Sequence, residues 1–299
     1  MKKLATTEFR AVSPVFGGGT PNATLELLSG LSTHNPAVAG IIYQEYRDFF
    51  ADATSTLPSH LRANNFQTES LHNYLQKFWF RDEVEPKLGF TAFHGIEQMA
   101  PHDEPVYPRD KILYDHAISR IEAAAGKKLF LHLATMYTHG PYTDGNGSEP
   151  IANYRKKLRA SINDMEEFIT SIRSKYPEAF FFIYGDHKPS LPETQLSPSS
   201  GRHEIGDVPV LIIDPIADRA NKLRSQTEGK PFFCFPAVVA EIYYRMDLPV
   251  KKYNETACSE YKGSHYMEAA NSIPAWVYTA AMFDETASVP LYDLVSSSR

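Results

Sequence analysis

The chain has 299 residues, of which 42% are hydrophobic and 12% aromatic, and its 36 acidic and 30 basic residues give a formal net charge of −6. This composition excludes a disordered or collagen-like chain, and the lack of a basic excess argues against nonspecific binding of nucleic acid. No stretch approaches the roughly 20 apolar residues of a membrane span, and no apolar stretch of signal-peptide length follows the basic start.

The first segment with functional character is residues 13–30, where three consecutive glycines precede Thr20 and Pro21. Thr20 has the form of a helix N-cap and Pro21 suits a first helical turn, so we expect a helix that ends at Gly30. The glycines allow the backbone to approach a ligand closely, and a helix N-terminus offers free N–H groups to an anion. Thr20 therefore either simply caps the helix or is a nucleophile at a phosphate site, activated when a metal lowers its pKa.

The central part of the chain predicts a strand, a helix and two further strands. Residues 128–136 and 179–184 are apolar on both faces, which is typical of strands buried in a parallel sheet. Between them, residues 154–176 carry apolar side chains at three- and four-residue steps, which predicts a helix with one apolar face. Residues 208–213 predict another strand. This order indicates a βαβ crossover and an α/β fold.

Polar side chains follow the predicted strands at their carboxyl ends, where ligands gather in α/β sheets. Asp186 and His187 come directly after one strand, and His139 follows the other. A carboxylate oxygen beside an imidazole nitrogen suits Zn²⁺ or Mn²⁺. The alternative is structural, because Asp often caps a turn and His often hydrogen-bonds to nearby backbone.

The two cysteines, Cys234 and Cys258, are too few for a zinc knuckle or a disulfide-rich scaffold. They are either isolated buried thiols or a pair formed in an oxidising compartment.

Four motifs stand in the order and approximate spacing of the lipoteichoic acid synthase-like branch of the alkaline phosphatase/sulfatase superfamily. They are FGGGTPNATLELLSG, LPSHLRANNFQTESLHNYLQKFWFRD, THGPY and YGDH, and they extend over residues 13–213. The resemblance implies an α/β three-layer sandwich around a mostly parallel central sheet. It also implies that residues 1–299 form a single catalytic domain.

The resemblance implies roles for individual residues. Thr20 resembles the family's nucleophile and metal ligand, while Asp186 and His187 resemble further ligands of one divalent cation, Mn²⁺ or Zn²⁺. His139 resembles the histidine that touches the substrate phosphate or assists the leaving group. His203 lies where related enzymes often place another site histidine, and it could equally be an exposed loop residue.

The FWxRD motif implies a head-group site. Its Trp79 would form one wall of the pocket, and the planar guanidinium of Arg81 would bind a phosphate. His72 also matches a family position near the pocket. Without the resemblance, a core Trp beside a surface Arg would be the simpler interpretation. Tyr74 stands where the family has an Asp, which leaves the head-group selectivity open.

One departure concerns the N-terminus. The family has a strand ending in an acidic metal ligand well before the nucleophile loop, whereas only nineteen residues precede Thr20 here, and they contain Glu8 but no apolar strand. We therefore expect an N-terminally truncated chain that lacks this strand, its acidic ligand and the upstream membrane helices. The alternative is that Glu8 and its neighbours substitute for them.

The resemblance implies a metal-dependent transferase of the cell envelope, acting at the extracytoplasmic face of the cytoplasmic membrane. It would move phosphoglycerol or phosphoethanolamine from a phospholipid donor to a glycan or glycolipid acceptor through an intermediate on Thr20. One alternative is a phosphodiesterase or phosphatase, in which water accepts the group. Another is a degenerate binding module without the acidic ligand. No nucleic-acid partner is expected, and the sequence gives no indication of the oligomeric state.

Overall fold

The computed structural model describes residues 3–30, 33, 39–48, 50, 56–99, 107–143, 149–191, 207–227 and 233–234. Two compact units are present. We call Pro58–Ala179 the first unit, and Lys2–Leu57 with Phe180–Ser190 and the described residues from 207 onward the second unit.

Helices and strands alternate along much of the described chain. The helices are α1 (Thr20–Ser29), α2 (Ile42–Glu45), α3 (Leu57–Ala63), α4 (Arg81–Lys87), α5 (Lys111–Ala123), α6 (Pro150–Lys175) and α7 (Ala217–Thr227). The strands are β1 (Thr7–Val12), β2 (Gln67–His72), β3 (Ala92–His94), β4 (Leu129–Ala134), β5 (Phe181–Tyr184), β6 (Asp207–Ile213) and β7 (Phe233–Cys234). No helix among these combines the length and the apolar content that crossing a bilayer requires.

The first unit contains a parallel sheet in the order β3-β2-β4. Leu71 lies opposite His94 on one side, and His72 lies opposite Ala134 on the other. Since all three strands run the same way, their carboxyl ends meet at one edge of the sheet. The loops that leave this edge begin directly after His72, His94 and Ala134.

The second unit contains a mixed sheet in the order β5-β6-β1-β7. Strand β6 is antiparallel to both of its neighbours, so β1 and β5 run in the same direction. Val12 lies opposite Asp207 and Tyr184 lies opposite Val210. The carboxyl ends of β1 and β5 are therefore at the same edge, from which the Thr20 loop and the Asp186 loop both leave.

The predicted helix at 154–176 is confirmed as α6, which begins four residues earlier, at Pro150, where a proline fits the first turn. Phe168, Ile169 and Ile172 form its buried stripe. The strand predicted at 208–213 is confirmed as β6. The predicted crossover from β4 through α6 to β5 is not among the described pairings, because β4 pairs with β2 and β5 with β6.

A strand does form in the residues before Thr20, although their sequence contains no apolar run. Strand β1 forms there with a half-exposed pattern in which Thr7, Ala11 and Val12 are buried while Glu8 and Arg10 are exposed. An alternating strand of this kind buries only one face, so it lacks the apolar run by which a fully buried strand is recognised.

Candidate active site

Thr20, Asp186 and His187, which were predicted as metal ligands, lie together in the second unit. The Thr20 hydroxyl donates a hydrogen bond of 2.7 Å to Oδ2 of Asp186. Nε2 of His187 is 3.3 Å from the same oxygen, and the His187 amide donates to Oδ1 of Asp186 at 2.9 Å. One hydroxyl, one carboxylate and one imidazole thus converge at the carboxyl ends of β1 and β5.

Hydrogen bonds between the two loops fix this arrangement. The Ser13 hydroxyl donates to the backbone carbonyl of Asp186, and the Gly17 amide donates to the carbonyl of Lys188 at 2.9 Å. Nδ1 of His187 lies 2.9 Å from the same Lys188 carbonyl, which fixes its proton on Nδ1 and leaves Nε2 as the acceptor nitrogen. An imidazole orientated in this way by a backbone carbonyl is the form that ligates a metal.

The start of α1 differs by one residue from the expectation that Thr20 is the N-cap. Gly19 occupies the N-cap in the left-handed conformation, with φ of 84°. Thr20 is therefore the first helical residue, and its hydroxyl is directed to Asp186 instead of capping its own helix. A Cβ on Gly19 would lie 2.9 Å from Cγ1 of Val15, so glycine is required there for space as well as for φ. The predicted end of the helix at Gly30 is confirmed.

Asn22 is a site-positioning residue that the sequence did not reveal. Its Nδ2 donates to the carbonyl of Gly40 at 2.9 Å, and its Oδ1 accepts from the amide of Ile42 at 3.0 Å. The side chain is buried. It joins the first turn of α1 to the segment that leads into α2. The only sequence feature that indicated this role was its position two residues after Thr20.

The donor set of this cluster fits a divalent cation of the Zn²⁺ or Mn²⁺ type, since it combines a carboxylate oxygen with an orientated imidazole nitrogen. In the described part of the chain, no group of three or more His, Cys, Asp or Glu side chains is close enough to hold a metal. Glu8 is exposed and lies near the start of β1, at the opposite end of the strand from the Thr20 loop. His203 and the pairing of Cys234 with Cys258 lie outside the residues whose side chains are described.

The remaining predicted site residues, His72, Trp79, Arg81 and His139, belong to the first unit. His72 ends β2 and is 4% exposed. Burial, reinforced by the nearby Arg81 charge, lowers the pKa of His72 to about 3. Its Nδ1 lies 2.8 Å from the carbonyl of Ala134, so the neutral ring carries its proton there. Nε2 is then left as a hydrogen-bond acceptor at neutral pH.

Arg81 is buried, with 2% of its side chain exposed, and its Nη1 donates to Oε1 of Glu85 at 2.8 Å. Glu85 is wholly buried, and it is a residue that the sequence reasoning missed although the i, i+4 spacing to Arg81 was visible. The surface Arg of the simpler interpretation is therefore excluded. The Arg81 guanidinium therefore forms an ion pair with Glu85 in addition to contacting any ligand that it binds.

Trp79 is half-buried and lies in a sharp bend of the backbone. Both Trp79, with φ of 62°, and Phe80, with φ of 54°, have left-handed backbone conformations, and Phe80 is the N-cap of α4. The ring of Trp79 is 5.4 Å from that of Phe78, in edge-to-face geometry. The bend directs the chain into α4, whose first residue is Arg81.

His139 is exposed and lies in the loop that follows β4, five residues after the strand ends. The ring of Tyr107 lies 4.8 Å from the His139 ring, and Lys157 donates to the His139 carbonyl at 3.0 Å. Burial lowers the pKa of Lys157. The aromatic contact and the lysine hold the His139 loop, while the imidazole stays accessible to a ligand.

Comparison with known proteins adds to this geometry. A relative from Rhizobium meliloti (strain 1021), named for cyclic beta-1,2-glucan modification, is 24% identical over 195 residues, which cover 60% of this chain and 30% of the relative. The lipoteichoic acid synthase LtaP from Listeria monocytogenes superposes with a TM-score of 0.66 at 16% identity, covering 83% of this chain and 65% of that one.

The phosphoglycerol transferase GacH from Streptococcus pyogenes, in complex with sn-glycerol-1-phosphate, superposes with a TM-score of 0.61 at 17% identity, covering 99% of this chain and 74% of that one. These likenesses show an alkaline phosphatase-like α/β fold. The chain spans less than a third of the length of the curated relatives it matches. The sulfatase family model matches residues 1–240, and the chain therefore belongs to the sulfatase family.

Proposed function

We propose that the protein is a metal-dependent phosphotransferase that moves a phosphoglycerol or phosphoethanolamine group from a phospholipid to a glycan or lipid acceptor. The observation that carries this proposal is the 2.7 Å hydrogen bond from the Thr20 hydroxyl to the Asp186 carboxylate, at the N-terminus of α1. A hydroxyl in this position has a group to which its proton can move, and it lies at the positive end of a helix dipole.

The first half-reaction forms a covalent intermediate on Thr20. Its hydroxyl proton moves toward Asp186 as Oγ1 attacks the phosphorus of the donor. The bond from phosphorus to the diacylglycerol oxygen breaks, that oxygen takes up a proton, and diacylglycerol leaves. A cation held by Thr20, Asp186 and His187 would supply Lewis-acid chemistry there by lowering the hydroxyl pKa. The amino end of α1 favours the negative charge on the nonbridging oxygens.

The second half-reaction returns Thr20 to its free form. An acceptor hydroxyl attacks the same phosphorus, the bond to Oγ1 of Thr20 breaks, and the threonine oxygen regains a proton. His139, whose imidazole is exposed, is proposed to carry the acceptor's proton to the threonine oxygen. Arg81, Trp79 and His72 are proposed to bind the phosphate and the head group.

Three similar proteins support the choice of substrate class. GacH is a phosphoglycerol transferase seen with sn-glycerol-1-phosphate, and LtaP is a lipoteichoic acid synthase. The rhizobial relative is named for modification of a glucan, which favours a glycan as the acceptor. We propose that the reaction takes place in the cell envelope, where phospholipid donors and surface glycans meet.

Mass spectrometry of the intact protein tests the proposal after incubation with Mn²⁺ and phosphatidylglycerol vesicles. We expect a phosphoglycerol adduct on Thr20 that is absent from Thr20→Ala and retained in Thr20→Ser, which keeps the hydroxyl. Adding a β-glucan oligosaccharide should discharge the adduct onto the sugar. Discharge only to water would identify a phosphodiesterase, and no adduct together with no bound Mn²⁺ would identify a degenerate binding module.

A further inference from the structure

Asp110 is a wholly buried carboxylate in the first unit, placed directly before α5. Its Oδ1 accepts three hydrogen bonds, from Nδ2 of Asn73 at 3.0 Å, from the amide of Met136 at 3.0 Å and from the amide of Tyr137 at 3.1 Å. Its Oδ2 accepts a fourth from the hydroxyl of Ser161 at 2.5 Å. One side chain thus joins the loop after β2, the loop after β4 and helix α6.

These four hydrogen bonds, and not a salt bridge to Arg109, satisfy the carboxylate of Asp110. The neighbouring Arg109 directs its guanidinium to Asp164, with contacts of 2.6 and 3.0 Å. Within the described residues, no cationic group forms a salt bridge with Asp110. A buried carboxylate without a cation is stable only when several donors satisfy its oxygens. Hydrogen bonds to an ionised acceptor are also stronger than those between neutral groups, so the three tethered segments are held firmly.

Two of these three tethered segments lead directly to histidines of the proposed reaction. Asn73 follows His72 in the chain. Met136 donates its amide to Asp110 and accepts the amide of His139 on its own carbonyl at 2.9 Å. The turn that contains His139 is therefore hydrogen-bonded to Met136, and the amide of Met136 is in turn bonded to the Asp110 carboxylate.

We propose that Asp110 is a positioning residue that sets the place of His139, and secondarily of His72, through the backbone. This inference rests on the proposed function, in which His139 transfers a proton. Asp110 itself is buried and touches no substrate. It differs from a residue that merely stabilises the fold because its loss should displace one loop of a protein that stays folded.

Hydrogen exchange gives a test that does not depend on activity. In Asp110→Ala, the amides of Met136 and Tyr137 lose their acceptor, so we expect exchange over residues 136–139 to accelerate at least tenfold, while amides inside β2 stay protected. Asp110→Asn keeps an acceptor oxygen for the three donors, so its exchange rate over residues 136–139 should lie between those of the wild type and Asp110→Ala. Equal acceleration in β2 and in residues 136–139, or none at 136–139, would overturn the proposal.

Kinetics on the full chain with Mn²⁺ and phosphatidylglycerol give the second test. Displacement of a catalytic group by about 1 Å can cost about 100-fold in rate. We expect kcat of Asp110→Ala to fall by about that factor with KM changed less than threefold, and Asp110→Asn to recover part of it. The control is Asp115→Asn, an exposed acid on the same helix that pairs with Lys111, which should match wild type.

Failure of the two proposals can be told apart. If the wild-type protein forms no adduct on Thr20, the proposed function fails, and hydrogen exchange alone decides whether Asp110 holds the loop. If the adduct forms but Asp110→Ala loses no more kcat than Asp115→Asn, the positioning role is wrong and the proposed function stands.

Discussion

The hydroxyl of Thr20 and the carboxylate of Asp186 are joined by a 2.7 Å hydrogen bond although 166 positions separate them in the chain. The two residues lie on loops that leave the same edge of the mixed sheet, after β1 and β5, which flank β6. This pairing has a direct consequence for metal binding.

Asp186→Ala and His187→Ala should each abolish stoichiometric binding of Mn²⁺, because each removes one of the two strong donors of the cluster. Metal content after equilibrium dialysis, measured by elemental mass spectrometry, checks this. Asp115→Ala is the control, since it removes an equally charged but exposed carboxylate. Retention of one bound ion in either variant would place the metal elsewhere.

Gly19→Ala should destabilise the protein and misplace Thr20. The new Cβ would lie 2.9 Å from Val15, and a left-handed φ costs an alanine about 1 kcal/mol. Gly126→Ala is a matched control, because Gly126 has φ of 81° but open space around its missing Cβ. We expect Gly19→Ala to lower the free energy of unfolding more than Gly126→Ala in urea titrations, and only Gly19→Ala to slow adduct formation.

Arg81→Met alone should destabilise the protein by about 3 kcal/mol, since it removes one member of a buried ion pair. The double variant Arg81→Met/Glu85→Leu should recover most of this loss, because an apolar pair of similar volume replaces a buried ion pair at little cost. If Arg81 also binds the phosphate, the double variant should stay inactive. Recovery of activity along with stability would assign Arg81 a purely structural role.

Acid should destabilise the protein through its buried histidines. Burial, with the nearby Arg81 charge, lowers the pKa of both His72 and His132 to about 3 from 6.5. Between these values the unfolded chain binds protons that the folded one does not, so stability is complete above about pH 6.5 and falls as the pH decreases toward 3. At pH 5 each group should cost about 2 kcal/mol.

The variant His132→Gln tests this pH dependence. It should reduce the difference in unfolding free energy between pH 7.5 and pH 5 by about 2 kcal/mol relative to wild type. An unchanged difference would show that His132 titrates normally in the folded protein.

The sequence was sufficient for elements that carry a strong local pattern. The apolar stripe of α6, the apolar run of β6 and the helix end at Gly30 all follow from side-chain periodicity or backbone preference. The convergence of Thr20 with Asp186 and His187 was implied by the family resemblance of their motifs, and not by local periodicity.

Strand β2 could not be predicted in this way, because only Leu71 in its sequence QTESLH is an aliphatic residue. Glu69 is buried there, and the Arg120 guanidinium neutralises it through two contacts of 2.8 Å. That partner comes from α5, 51 positions later. Local periodicity carries no information on such a long-range pair, and the same holds for the four donors around Asp110.

The bend at Trp79 and Phe80 lowers the stability of the folded protein, yet it contains a residue that is proposed to line the head-group site. Two consecutive aromatic residues with φ of 62° and 54° together cost the folded state on the order of 2 kcal/mol, which glycine would relieve. Glycine at Phe80 would therefore be a stabilising substitution wherever the ring of Phe80 is dispensable, whereas glycine at Trp79 would discard the indole proposed to line the head-group site. Selection for thermal stability alone should thus favour glycine over both aromatic residues, and an engineering programme should hold Trp79 fixed.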